Sequence, residues 1–191
     1  MDLLKKNNIL NKEDEEIYYF GIYQTIVFII NSLTSLIIFL AFNKIIEGLT
    51  FSIFYYLLRC YGGGYHSKSI LCCYVLSSFL IVMVLNIILY IKINSFIILL
   101  GILSLILVFL ISPVETQTKK LDSIEKKVYR KKVRGILILA LFIIIILQLI
   151  DYEKGIICII LSLIIESIMQ IFGTIDNMYK YSFLQNSRII K

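Results

Sequence analysis

The sequence predicts an all-α integral membrane protein with about six membrane helices, the second short or partly re-entrant, and with both termini in the cytoplasm. Three observations predict this fold class. The 191-residue chain is 59% hydrophobic, and its mean hydropathy of +0.89 lies far above that of soluble domains. Its apolar residues form long runs separated by short polar breaks, as in transmembrane helices. Eight of the 19 lysines and arginines lie in residues 113–134, which the positive-inside rule places in the cytoplasm.

Residues 1–191 are predicted to form a single polytopic membrane domain. The polar N-terminal segment 1–16 carries both signs of charge and is predicted to be an amphipathic segment on the membrane surface. Residues 17–42 are apolar and long enough, at ~1.5 Å per residue, to cross a hydrocarbon core of ~30 Å. Residues 49–58 are too few to span alone. This second segment either crosses with the help of Ile45 and Ile46 or forms a half-helix that carries the next loop.

The remaining apolar runs form two predicted antiparallel hairpins. The first pairs residues 71–91 with 96–112, where Pro113 ends the helix, and the second pairs 135–150 with 155–172. The basic segment 113–134 between them is predicted to be a cytoplasmic loop.

Counting outward from the basic segment gives the orientation of the other polar segments. The C-terminal tail 173–191 is predicted to lie in the cytoplasm, and so is the loop 59–70. The formal net charge of +6 then reflects membrane orientation rather than nucleic-acid binding. Four unevenly spaced cysteines do not resemble a disulfide framework and are expected to be reduced thiols.

The loop 59–70 and the two cysteines that follow it form the candidate active site. The loop holds the only histidine, His66, and three of the nine glycines. A cysteine becomes a nucleophile when a base, a cation or a helix N-terminus favours its thiolate. Cys72 and Cys73 lie at the predicted start of a helix, close in sequence to His66 and to two cations, Arg59 and Lys68.

The spacing of these residues requires the loop to fold back on the helix. His66 precedes Cys73 by seven positions, which on one continuous helix is ~10 Å along the axis, too far for proton transfer at ~3 Å. The glycines at 62–64 suit such a turn, and their N–H groups are candidate oxyanion donors. This reasoning does not choose between Cys72 and Cys73.

Each of these residues also has a simpler, non-catalytic interpretation. A lone histidine in a loop is often merely solvated, and cysteine is a common apolar filler, as expected for Cys158 deep in the last span. Zinc binding by four residues is disfavoured because their spacing matches no common ligand pattern: Cys60, His66, Cys72 and Cys73. No metal or other cofactor is therefore predicted.

The same loop carries a resemblance to a known family. Arg59, the Gly-Gly-Tyr-His-Ser-Lys stretch at 63–68 and Cys73 resemble the core of the accessory gene regulator B (AgrB) family. Its signature is an arginine, a Gly-Gly-x-His and a cysteine seven residues after the histidine. The resemblance extends to Ser112-Pro113-Val114-Glu115, to Lys119 and Lys120, and to the hydropathy profile of nearly the whole chain.

The resemblance implies a membrane cysteine endopeptidase of bacterial quorum sensing. Its substrate would be a propeptide of the AgrD type, cleaved by Cys73 with His66 as base and closed through a thioester into a thiolactone or lactone. Four residues would orient the site or stabilise the oxyanion: Arg59, Gly63, Gly64 and Lys68. Lys119 and Lys120 would bind an acidic substrate tail. The family also implies a homodimer in the bacterial cell membrane. The positive-inside count places the active site on the cytoplasmic side, and the charge pattern predicts no nucleic-acid partner.

The alternative function is that of a small six-helix transporter or export subunit. Glu166 in the last span favours it, since acidic residues within membranes often mark an ion path. A carboxylate that snorkels to the interface, or is paired there, is the simpler interpretation of Glu166.

Overall fold

The computed structural model describes residues 15–65, 70–115 and 121–189. These ranges contain six α-helices and no β-strand, which confirms the predicted all-α class. The helices are α1 (Glu15–Ala41), α2 (Ile45–Gly62), α3 (Ile70–Tyr90), α4 (Ser95–Ile111), α5 (Ser123–Leu149) and α6 (Glu153–Ile189).

Four of the described helices are long and apolar enough to cross a membrane: α1, α3, α5 and α6. Helix α4 is apolar but has only 17 residues. Helix α2 is unbroken over 18 residues, and at ~1.5 Å per residue it extends roughly 27 Å. It takes in Ile45 and Ile46, so the second segment is longer than its apolar run alone.

Helix α6 forms the centre of the bundle. Helices α2 and α4 make the most extensive contacts with it, and α3 and α5 also pack against it. Its middle is almost completely buried, and three residues there lie in the core: Ile157, Ile159 and Leu163. Because lipid surrounds the other helices, their exposed leucines and isoleucines are ordinary membrane-facing residues.

Helix α1 lies at the edge of the bundle, where it packs mainly against α3. Two polar contacts join these helices: the hydroxyls of Thr34 and Tyr74 are 2.8 Å apart, and Ser77 Oγ donates to Asn31 Oδ1 at 3.0 Å. Helix α3 packs mainly on α1, and α4 packs mainly on α6. The consecutive helices α3 and α4 therefore do not form a closely packed pair, in contrast to the predicted hairpin.

Helix α5 begins twelve residues earlier than the apolar run that predicts it. Asp122 precedes its first turn, and the Asp122 N–H donates to the Glu125 carboxylate at 3.1 Å, half of a capping box. Lysine and arginine are good helix formers. Most of the segment predicted as a basic loop is therefore helical, and six of its eight cations lie on α5.

Helix α6 likewise continues beyond its apolar run. The predicted span ends at Phe172, but the helix extends to Ile189 and includes Gly173. No proline interrupts this stretch, so the polar composition of the tail does not end the helix.

Candidate active site

Helix α2 ends at the candidate loop, and Arg59 binds that loop from within the helix. Arg59 Nη1 donates to the carbonyl oxygen of Gly63 at 2.9 Å, and Nη2 donates to the carbonyl oxygen of Tyr65. Arg59 itself is half-buried. A guanidinium with fixed, forked donors can hold two carbonyls at once. Arg59 thus fixes the direction in which the chain leaves α2 toward His66.

Two other parts of the chain hold the loop from either side. On one side, the Val114 N–H donates to the Gly62 carbonyl oxygen at 2.8 Å, and Gly63 pairs with Val114 in an isolated parallel bridge. On the other side, the Tyr65 N–H donates to the carbonyl oxygen of Met169 on α6 at 2.9 Å. The backbone from Gly62 to Tyr65 is therefore anchored to both neighbouring elements.

The glycines of the loop are required by backbone conformation and by close packing. Gly63 and Gly64 have φ values of +74° and +119°, which L-residues rarely adopt. The Gly63 N–H donates to the Arg59 carbonyl oxygen at 3.3 Å and caps α2. On α6, a Cβ at Gly173 would lie 2.7 Å from both the Gly64 carbonyl carbon and the Tyr65 nitrogen. Helix and loop backbones thus touch at this point.

Cys72 and Cys73 both lie in the first turn of α3, as predicted, and both are exposed and free. The positive end of a helix favours an anion such as a thiolate. Cys72 and Cys73 therefore both lie at the end of α3 that favours a thiolate. Tyr55, one turn before Arg59 on α2, interacts electrostatically with Arg59, Glu166 and Cys73.

The remaining predicted site residues lie outside the described residues: His66, Lys68, Lys119 and Lys120. The expected fold-back of His66 onto Cys73 thus stays a prediction. Cys158 is fully buried in the core, as expected for a filler. In the described part of the chain, no three His, Cys, Asp or Glu side chains gather as metal ligands.

Glu166 does not snorkel to the interface, so the snorkelling half of that interpretation is wrong. Its side chain is 0% exposed and accepts a hydrogen bond from Gln170 Nε2 at 2.9 Å. The same nitrogen donates to Ser112 Oγ at 2.9 Å. Sequence pattern alone does not reveal Gln170 or Tyr55, although Gln170 lies four residues after Glu166 and Tyr55 lies four residues before Arg59.

The basic segment lies at the same end of the bundle as the loop. Arg130 Nε donates to the Ser112 carbonyl oxygen at 3.4 Å, and Lys132 Nζ lies 4.4 Å from the centre of the Tyr61 ring. Lys126 forms a 2.7 Å ion pair with Glu115. Residues that begin α5 thus contact the end of α2 and the segment after α4.

Comparisons with known proteins assign the chain to a family. A family model described as accessory gene regulator B matches residues 1–172. The chain is 32% identical over 167 residues to AgrB-like protein 2 of Clostridium perfringens strain 13, covering 79% of this chain and 76% of the relative. It is 34% identical over 164 residues to an AgrB-like protein of C. perfringens strain SM101, covering 78% and 74%. No solved structure matches the chain. The family match extends over nearly all of the described helices, and the chain belongs to the accessory gene regulator B family.

Proposed function

We propose that this protein is a membrane-embedded cysteine endopeptidase that cleaves an AgrD-type propeptide and supports its cyclisation. The main support for the proposal is that an exposed thiol follows closely, in the sequence, a loop whose backbone is held in place. Cys73 lies in the first turn of α3, and Arg59 holds the chain that leads to His66. Nucleophilic catalysis needs such a thiol, a base and fixed positions for both.

In the proposed reaction, the thiol proton of Cys73 passes to His66 as Sγ attacks the scissile carbonyl carbon. The C–N bond breaks, His66 returns the proton to the leaving amine, and the acyl group stays on Sγ as a thioester. A thiol or hydroxyl within the peptide then attacks the thioester and loses its proton. The C–S bond breaks, a thiolactone or lactone ring closes, and Cys73 regains its proton.

The position of the site supports ring closure over hydrolysis. A thioester retains most of its reactivity toward nucleophiles, so cyclisation competes with water at the acyl-enzyme stage. The described part of the loop lies between the end of α2 and α6, beside helices that are apolar enough to lie in lipid. Exclusion of water there would favour the internal nucleophile of the peptide.

The test is cleavage by the purified chain in liposomes, without an energy source. We expect the parent to release the C-terminal fragment of the propeptide, Cys73→Ala to release none, and Cys72→Ala to keep most of the activity. The adjacent thiol is a matched control because it is also exposed and in the same turn. A transporter would not cleave, and cleavage by Cys73→Ala would contradict the assigned nucleophile.

A further inference from the structure

A cluster of three buried polar residues lies behind the candidate loop. Glu166 and Gln170 are 0% exposed and Ser112 is 1% exposed. Gln170 Nε2 joins them, since it donates to Glu166 Oε1 and to Ser112 Oγ, both at 2.9 Å. Within the described residues, Glu166 Oε2 and Gln170 Oε1 have no hydrogen-bond partner. An apolar interior would be more favourable in a membrane protein, so stability does not explain this cluster.

The cluster lies directly against the end of α2. A Cβ at Gly62 would lie 2.6 Å from Gln170 Nε2 and 2.8 Å from Glu166 Oε1. Ser112 also begins the short segment whose Val114 N–H holds the Gly62 carbonyl oxygen at 2.8 Å. Gln170 thus contacts Gly62 directly and fixes the segment that binds Gly62 from the other side.

The contacts continue from Gly62 to Arg59, which binds the loop. The next residues, Gly63 and Tyr65, offer the carbonyls that Arg59 binds. The carboxyl group of Glu166 interacts electrostatically with Arg59. Tyr55 is within electrostatic range of both Glu166 and Cys73. A shift of the cluster would therefore move the loop and change the surroundings of the arginine that clamps it.

We propose that Glu166, Gln170 and Ser112 are positioning residues that hold the end of α2 and the loop backbone from Gly62 to Tyr65, from which the chain leads to His66. The proposal rests on the proposed function for the roles of His66 and Cys73. The three residues touch neither substrate nor reacting atoms; they act through Gly62 and Arg59. Misplacement of a reacting group by about 1 Å can cost on the order of 100-fold in rate, so a support of this kind is needed.

The test measures the reactivity of Cys73 separately from cleavage. In a background with Cys60→Ser, Cys72→Ser and Cys158→Ala, the rate of alkylation by iodoacetamide at pH 7 reports how far the surroundings activate the one remaining thiol. We expect Gln170→Met, which removes both hydrogen bonds at similar volume, to lower this rate and kcat by about tenfold or more, with KM within about twofold.

Two further variants complete the design. Ser112→Ala removes one hydrogen bond of the cluster without a bulky change, so it covers the case in which Gln170→Met does not fold, and we expect a smaller loss in the same direction. Ser167→Ala is the matched control, because Ser167 Oγ donates to Ser104 Oγ at 3.3 Å and joins α6 to α4 away from the cluster. It should leave both rates unchanged.

The outcomes distinguish a failure of the positioning role from a failure of the proposed endopeptidase function. Alkylation rates in Ser112→Ala and in folded Gln170→Met that equal the parent's overturn the positioning role, whether or not the parent cleaves propeptide. Loss of reactivity in Ser112→Ala but not in Ser167→Ala supports it. If reactivity falls in this way while the parent never cleaves, the positioning stands and the endopeptidase assignment fails.

Discussion

Cys72 and Cys73 occupy consecutive positions in one helical turn, so their side chains point about 100° apart. A base held against one thiol is therefore turned away from the other. Composition and spacing do not choose between them, whereas the family signature selects Cys73. In the structure both thiols are exposed in the first turn of α3.

The first prediction concerns His66 as the partner of Cys73. Replacing His66 by Ala should damage cleavage about as much as Cys73→Ala, because groups that act as one unit are strongly non-additive. The double variant should be hardly worse than either single one. Single-turnover cleavage in liposomes measures this, and full additivity of the two losses would show that the residues act independently.

Site residues with a specific chemistry can be predicted from the sequence. Site residues whose role depends on packing cannot. Arg59, Cys72 and Cys73 stand out by residue type and by their position beside the glycine-rich loop. Gln170 is an ordinary amide in an apolar run, and Ser112 an ordinary small residue before a proline. Only the packing of α6 against α4 brings these two together.

Among the elements, α6 defines the site more than any other. It supplies the carbonyl of Met169 that holds the loop, the buried cluster behind the loop, and the surface at Gly173 on which the loop rests. Hydropathy predicts its apolar part. It does not predict the continuation to Ile189, because a helix beyond the membrane depends on capping and propensity rather than on hydrophobicity.

The second prediction compares two helical glycines. A Cβ at Gly173 would lie 2.7 Å from backbone atoms of Gly64 and Tyr65, which must then move, whereas at Gly135 nothing lies within 4 Å. Gly173→Ala should lower kcat by about tenfold or more. Gly135→Ala should be neutral or slightly stabilising, since alanine is favoured over glycine in helices by about 1 kcal/mol. Cleavage and thermal unfolding in detergent measure both, and equal kinetics would refute close loop packing.

The third prediction concerns Lys119 and Lys120, the two cations of the basic segment that precede α5 in the sequence. If Lys119 and Lys120 hold an acidic substrate tail, replacing both by Gln should raise KM for propeptide more than it lowers kcat. The effect should weaken with salt, because exposed charges are screened. Lys127→Gln with Lys131→Gln on α5 is a control of equal charge change. Unchanged kinetics at low salt would leave membrane orientation as the role of Lys119 and Lys120.

For the whole molecule, the contacts between elements place the candidate loop and the basic segment at one end of the bundle. Arg130 reaches the Ser112 carbonyl, and Val114 pairs with Gly63. Hydropathy and the positive-inside rule predict the number of spans and their alternation. They do not predict which helices pack together, because that depends on contacts distant in sequence, such as those of α1 with α3.

The fourth prediction is the orientation of that end. In a background without the four native cysteines, single cysteines at Ser67 and at Ser123 should be shielded from an impermeant reagent in intact cells. A cysteine at Asn94, at the opposite end between α3 and α4, should be labelled. Labelling of Ser67 from outside would reverse the orientation and remove the cytoplasmic site.

The most direct test of the central claim is to trap the acyl-enzyme. A propeptide whose ring-closing residue is replaced by Ala lacks the internal nucleophile, so the thioester should accumulate as a covalent adduct that hydroxylamine releases. Mass spectrometry of the digested protein should place the adduct on Cys73 in the parent and in Cys72→Ser, and find none in Cys73→Ser. An adduct on Cys72, or cleavage without any thioester, would contradict the account.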